Sequence, residues 1–258
     1  MIFFYSFIIF LLGTSLGSFA NVCIYRLPKS KQIISGRSFC PRCKKKIIWY
    51  DNLPLISFIF LNGKCRNCNK SISARYFIVE LITGISFLLI YFNYKDFNTI
   101  VFLSILVLIL IMIFFIDLEN FIIPDTLNFS IMGLAILKNF LPNFNTSLIH
   151  EINQSIIGGI VGYLSIWLII YLYKTFKKID GMGLGDAKLM AGTGLLFGWQ
   201  SIPFVLFVSS ILGLFFVVPS LIKKQKNLRT EIPFGPFIIL ACLVYFAYGS
   251  LIYDLILV

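Results

Sequence analysis

Apolar runs close to the length of a bilayer-crossing helix recur eight times, at about residues 1–22, 76–92, 99–117, 121–141, 152–173, 187–200, 203–222 and 234–256. A helix needs roughly 20 apolar residues to cross the hydrocarbon core. Charged residues are only 13% of the chain and gather between the runs, as they must if the runs sit in lipid. The pattern predicts an all-α polytopic membrane protein with about eight transmembrane helices. The run at 187–200 is short and glycine-rich, so a re-entrant segment is the alternative there.

The distribution of charge orients the spans. With eight spans and an outside N-terminus, the loops 23–75, 174–188 and 223–231 face the cytoplasm. They then hold every one of the 22 Lys and Arg residues except Lys95 and Lys138. If 187–200 did not span, Lys223, Lys224, Lys226 and Arg229 would lie outside, against the positive-inside rule. The first run has no basic residue before it and many after it, which reads as a retained anchor. The net charge of +11 therefore reports topology and contact with membrane lipid, and no nucleic-acid role is expected. The expected division is 1–22 as the first span, 23–75 as a cytoplasmic basic loop, and 76–258 as a transmembrane bundle. No internal repeat stands out.

The basic loop carries Cys40-Pro-Arg-Cys43 and Cys65-Arg-Asn-Cys68, with 21 residues between the pairs. In a cytoplasmic loop, structural disulfides are disfavoured and metal is the better reading. Two CxxC pairs can place four thiolates tetrahedrally around one Zn²⁺ and fold a short segment that has almost no core. Such a four-cysteine site has no open position, so the expectation is a structural, zinc-ribbon-like loop domain. Free thiols or redox pairs are the alternative. Cys23 and Cys242 lie in or beside apolar runs and read as small buried hydrophobes.

Carboxylates near lipid are costly and call for a reason. Asp117 ends the third run, and Asp186 opens the sixth in Gly183-Leu184-Gly185-Asp186-Ala187-Lys188. Both are expected at the cytoplasmic edge. Two carboxylates brought together can share a proton, one activating water while the other protonates a carbonyl or leaving amine. The single histidine, His150, is expected on the far side, and no HExxH motif is present. Gly183 and Gly185 permit close backbone approach, and Lys188 adds positive charge nearby; all three read as active-site support. Helix-packing glycines with an N-cap aspartate are the bland alternative. Glu119 and Asp125 are competing partners for the pair. Asp186 at a helix start and Asp117 at a helix end suggest base and acid respectively.

Taken in order, several motifs resemble the type IV prepilin peptidase family of GxGD-type intramembrane aspartyl proteases. Gly17-Ser18-Phe19-Ala20-Asn21-Val22 with Tyr25-Arg26-Leu27-Pro28 is similar to that family's opening signature. The double CxxC loop follows. Then come Asp117 with Ile123-Pro124-Asp125, the GxGD box ending at Asp186, and the late motif Ile232-Pro233-Phe234-Gly235-Pro236-Phe237. The resemblance implies catalytic roles for Asp117 and Asp186. It also implies cleavage of basic leaders from prepilins or pseudopilins before Phe, at the cytoplasmic face of a bacterial inner membrane. Methylation of the new N-terminus with S-adenosylmethionine is implied by the same resemblance, the intact cysteine loop in particular; no donor-binding residues emerge. Asp180 and Glu231 are candidates for recognising a basic leader. Two other classes remain open: a zinc-stapled membrane assembly factor without catalysis, and a general intramembrane protease.

Overall fold

The computed structural model describes residues 2–33, 38–141, 152–178, 182–222 and 232–257. Arg37, His150, Asp180, Glu231 and the basic residues at 223–229 lie outside them. The described chain is helical, with two isolated β-bridges and no strand. Eight helices occupy the eight apolar runs: α1 Ile2–Arg26, α3 Arg75–Asn93, α4 Phe97–Asn120, α5 Asp125–Leu137, α6 Ile152–Lys177, α7 Leu184–Phe197, α8 Ser201–Ile222 and α9 Gly235–Leu257. A ninth, α2 at Ile56–Phe60, lies in the basic loop. Among the described residues, α1, α3, α4, α6 and α8 are long and apolar enough to cross a membrane. Large apolar side chains such as Phe7, Phe92, Phe207 and Phe215 are exposed on these helices, as lipid-facing surfaces require.

The chain divides into two compact units, Met1–Met112 and Ile113–Val258. In the first, α1 packs along α3 through Gly13 and Gly17, one turn apart. A Cβ on Gly13 would lie 2.9 Å from the Cα of Gly84, and one on Gly17 would lie 2.8 Å from the Cα of Glu80. Only glycine allows backbones this close, the small-residue packing that holds helices together where lipid removes the hydrophobic drive.

In the second unit the short helix α7 is wrapped by protein. Its 14 residues span about 21 Å at 1.5 Å per residue, well under the ~30 Å hydrocarbon core. Ten of the 14 are buried, so its ends meet protein groups, which is where a short helix at membrane depth is tolerated. Side chains on Gly158 and Gly162 of α6 would strike the carbonyls of Gly194 and Met190. Gly192 faces Ile131 of α5, and Phe197 packs on Tyr245 and Phe246 of α9. At the far end the buried Lys138, just after α5, donates its Nζ to the Leu196 carbonyl in the last turn of α7. One of the two basic residues outside the loops 23–75, 174–188 and 223–231 thus compensates a helix C-terminus.

Candidate active site and cysteine cluster

Asp117 sits in the last turn of α4. The helix stops three residues later because Phe121 turns left-handed (φ 57°), its N–H closing on the Asp117 carbonyl at 2.9 Å. Ile122, Ile123 and Pro124 then lead into α5. Asp117 is 4% exposed and Asp186 is 8% exposed. The Oδ2 of Asp117 accepts the backbone N–H of Gly235 at 2.9 Å. Gly235 begins α9 with Pro236 behind it, so its N–H is one of those a helix start leaves without an intrahelical partner. Glycine leaves this oxygen its place: a Cβ would lie 2.7 Å from that same Oδ2.

Asp186 lies in the first turn of α7. Gly183 is the N-cap residue, in extended conformation, and its carbonyl accepts the Asp186 N–H at 3.2 Å. The Gly185 carbonyl accepts from Asn128 Nδ2 of α5 at 3.2 Å. A Cβ on Gly185 would lie 3.1 Å from the Cβ of Ile123, and one on Gly235 would lie 3.0 Å from the Cδ1 of Ile123. Ile123 is thus wedged between the GxGD box and the late motif. The Asp117 carboxylate is near enough to act on Asp186 electrostatically, and Asp186 Oδ1 is buried without a hydrogen-bond partner among the described residues. Two buried carboxyl groups so placed suit acid–base hydrolysis: one oxygen is held by a backbone donor and another is left for water or substrate. Because Gly235 brings a donor to Asp117, the two helix ends do not by themselves assign base and acid.

The other acidic candidates sit elsewhere. Glu119 is exposed. Asp125 is exposed and paired with Lys188, Nζ to Oδ1 at 2.7 Å, so the Lys188 ammonium is placed on Asp125. Sequence reasoning gave no role to Gly235, Asn128 or Lys138. Only Gly235 carried a signal, the Gly-Pro pair at a helix start.

In the first unit, Cys40, Cys43, Cys65 and Cys68 bring their sulfurs within 4.8 Å of one another, with Cys40 and Cys68 at 4.0 Å. Four thiolates about 2.3 Å from a tetrahedral zinc stand about 3.8 Å apart, so the cluster fits zinc. Each pair is built the same way. The N–H of Cys40 bonds the Lys45 carbonyl at 3.0 Å and that of Cys65 bonds the Lys70 carbonyl at 3.0 Å, while Lys44 (φ 58°) and Asn69 (φ 53°) turn left-handed after the second cysteine. This is a local duplication that the side-chain pattern outside the cysteines hides. Arg66 grips Asp51 through Nε at 2.8 Å and a terminal amine at 2.6 Å, tying the second knuckle to the preceding turn.

The four thiols are not equivalent. Burial alone would raise Cys40, but the Cys43 and Arg42 N–H groups and neighbouring thiols outweigh it and bring it down to about 7. At Cys68 the Lys70 N–H favours the thiolate, yet burial and the Cys65, Cys43 and Cys40 sulfurs together push it up to about 11. Four thiolates this close need a cation to coexist.

Known proteins match this sequence along most of its length. Residues 11–94 match the Bacterial Peptidase A24 N-terminal domain, and residues 104–218 match the Type IV leader peptidase family. A prepilin leader peptidase/N-methyltransferase of Vibrio cholerae is 38% identical over 239 residues, covering 90% of this chain and 92% of the relative. One of Aeromonas salmonicida is 31% identical (94% and 90% covered), and one of Dichelobacter nodosus is 34% identical (95% and 92%). No solved structure matches. A multi-pass helical membrane protein with a metal-fitting loop of four cysteines and two buried aspartates, this chain belongs to the type IV leader peptidase family.

Proposed function

We propose that the chain is a prepilin leader peptidase of the inner membrane that works by an aspartic mechanism, with Asp117 and Asp186 as its catalytic pair. The observation that carries this reading is geometric: both carboxyl groups are buried on elements that meet at Ile123, Asp117 on the Gly235 N–H and Asp186 with its Oδ1 unpartnered among the described residues. In the reaction, one aspartate takes a proton from water as the water oxygen attacks the scissile carbonyl. The other gives a proton to the departing nitrogen as the C–N bond breaks. Gly183 caps the first turn of α7, and Gly185 and Gly235 close on Ile123 from α7 and α9.

The substrates are prepilins or pseudopilins, cut before Phe after a short basic leader at the cytoplasmic face, with the N-terminus of the enzyme outside. The four cysteines hold a structural Zn²⁺ that staples residues 40–68. The chain also methylates the new N-terminus: S-adenosylmethionine supplies the methyl group, and the amine loses one proton.

The test is cleavage of a prepilin-like peptide with a basic leader, Gly and Phe, read by mass spectrometry with and without S-adenosylmethionine. Wild type yields a Phe N-terminus, heavier by about 14 Da with the donor, the mass of one methylene added to the amine. Asp117→Asn and Asp186→Asn each lose cleavage by a factor of about 10⁴ or more. Retained cleavage in either variant would rule out the pair.

A further inference from the structure

Between the two cysteine pairs, the segment 48–60 turns large apolar side chains outward. Ile48, Tyr50 and Ile56 are exposed, and Trp49, Ile59 and Phe60 are 72%, 61% and 82% exposed. Ile56, Ile59 and Phe60 fall at spacings of three and four, on one face of α2. Single apolar residues are ordinary on a protein surface, but a contiguous patch marks contact with a membrane or another molecule.

The packing of the same segment tells the two apart. Phe58, on the opposite side of α2, packs on Phe77 in the first turn of α3, with ring centroids 5.4 Å apart. The Leu55 N–H donates to Glu80 Oε2 at 2.8 Å. Glu80 lies five residues after Arg75, about 7.5 Å along α3 at 1.5 Å per residue. The segment therefore runs beside the first turns of a helix long and apolar enough to cross a membrane. Ile78, in those same turns, is itself exposed. The outward face of α2 thus stands where the span enters lipid.

The charges point the same way. Between residues 38 and 75 there are eight Lys and Arg and a single acid, Asp51. Lys44, Lys45 and Lys46 are exposed just before the patch, and Lys64 just after it. Asp51 is taken up by Arg66, whose guanidinium also stands 5.5 Å from the Tyr50 ring. The second cysteine pair thus fixes the turn that carries Trp49 and Tyr50. Trp and Tyr flanked by apolar bulk and lysines settle at the boundary of headgroups and acyl chains, and an apolar face with basic neighbours lies along that boundary. We propose that residues 48–60 are a membrane-docking lip. Trp49, Ile59 and Phe60 lie in the headgroup–acyl boundary of the leaflet that α1 leaves and α3 enters, with Lys44, Lys45, Lys46 and Lys64 on headgroup phosphates. The four-cysteine loop is then laid against the bilayer instead of standing in solvent. The inference does not rest on the peptidase reading.

The experiment is fluorescence of the full-length, zinc-loaded protein in bilayers of phosphatidylcholine and phosphatidylglycerol. Trp167→Phe with Trp199→Phe leaves Trp49 as the single tryptophan. Lipids brominated near the top of the acyl chain should quench Trp49 by about twofold or more, lipids brominated near the chain end less, and acrylamide in the water hardly at all. If that double variant misfolds, the difference between wild type and Trp49→Phe gives the same readout. Ile59→Asp with Phe60→Asp, both on the outward face, should keep bound zinc and raise acrylamide quenching of Trp49 by about threefold. A Trp49 quenched by acrylamide and untouched by the brominated lipids faces water and overturns the proposal. A Trp49 shielded from both is covered by protein, whether the other unit or a second copy, and overturns it too. So does a double aspartate variant that holds zinc while its Trp49 stays in lipid.

Discussion

Replacing Gly235 with alanine should remove most of the peptidase activity while leaving the protein folded. The added Cβ would lie 2.7 Å from Asp117 Oδ2, 3.0 Å from Ile123 Cδ1 and 3.3 Å from Asp117 Cγ. Ordinary contact begins at 3.4 Å, so the carboxyl oxygen has to retreat by about 0.7 Å. That oxygen is the free end of a side chain, and rotating it away costs about 1 kcal/mol, with about 1–3 kcal/mol more where its bond to the buried Gly235 N–H is given up. The stability cost is therefore a few kcal/mol, short of unfolding, but the group that moves is the one proposed to do the chemistry. A misplacement approaching 1 Å at a reacting group costs on the order of 10²-fold in rate. Time courses of leader cleavage, followed by mass spectrometry beside thermal melting in detergent, separate the two effects. Gly133→Ala in α5 is the control, because nothing lies within 4 Å of its Cβ; it should cleave like wild type. A Gly235→Ala enzyme that cleaves within about threefold of wild type would refute the reasoning. So would one whose lost activity is matched by a collapse in melting temperature.

Lys138→Met should lower stability by about 1–3 kcal/mol, because it leaves the buried Leu196 carbonyl at the end of α7 without its donor; unchanged melting would mean that water or lipid headgroups already serve that carbonyl. Zinc binding to stripped protein should weaken as pH falls. Cys68, pushed up to about 11, gives up a proton on binding at any working pH, whereas Cys40, at about 7, is already a thiolate above neutrality and must give up one more proton below it. The slope of log affinity against pH should therefore steepen by about one below pH 7, as competition with a chromophoric chelator would read; a slope constant from pH 6 to 8 would contradict the thiol ordering.

The features legible in the sequence were those whose cost is local. Each apolar run became a helix, since a lipid-soluble stretch has to satisfy its own backbone. The ends moved because a helix continues through polar residues at its margins: α1 runs on to Arg26 and α4 to Asn120. Likewise α7 begins at Leu184, so that Asp186 lies inside its first turn. The cysteine cluster was legible because two knuckles need only short spacings, and Asp117 and Asp186 because carboxylates stand out against apolar sequence. Their partners were not legible, for a common physical reason. Asp117 is held by the N–H of a residue 118 positions away, Lys138 by a carbonyl 58 away and Asn21 by a carbonyl 55 away. Every one of those partners is a backbone group, which all residues possess and no side-chain pattern announces. Side-chain identity can show which groups in a membrane protein require compensation. Where it comes from is decided by the packing of glycine-bearing helices, and Gly17 beside Glu80 and Gly235 against Asp117 are two places where a missing Cβ brings that packing to an acidic residue.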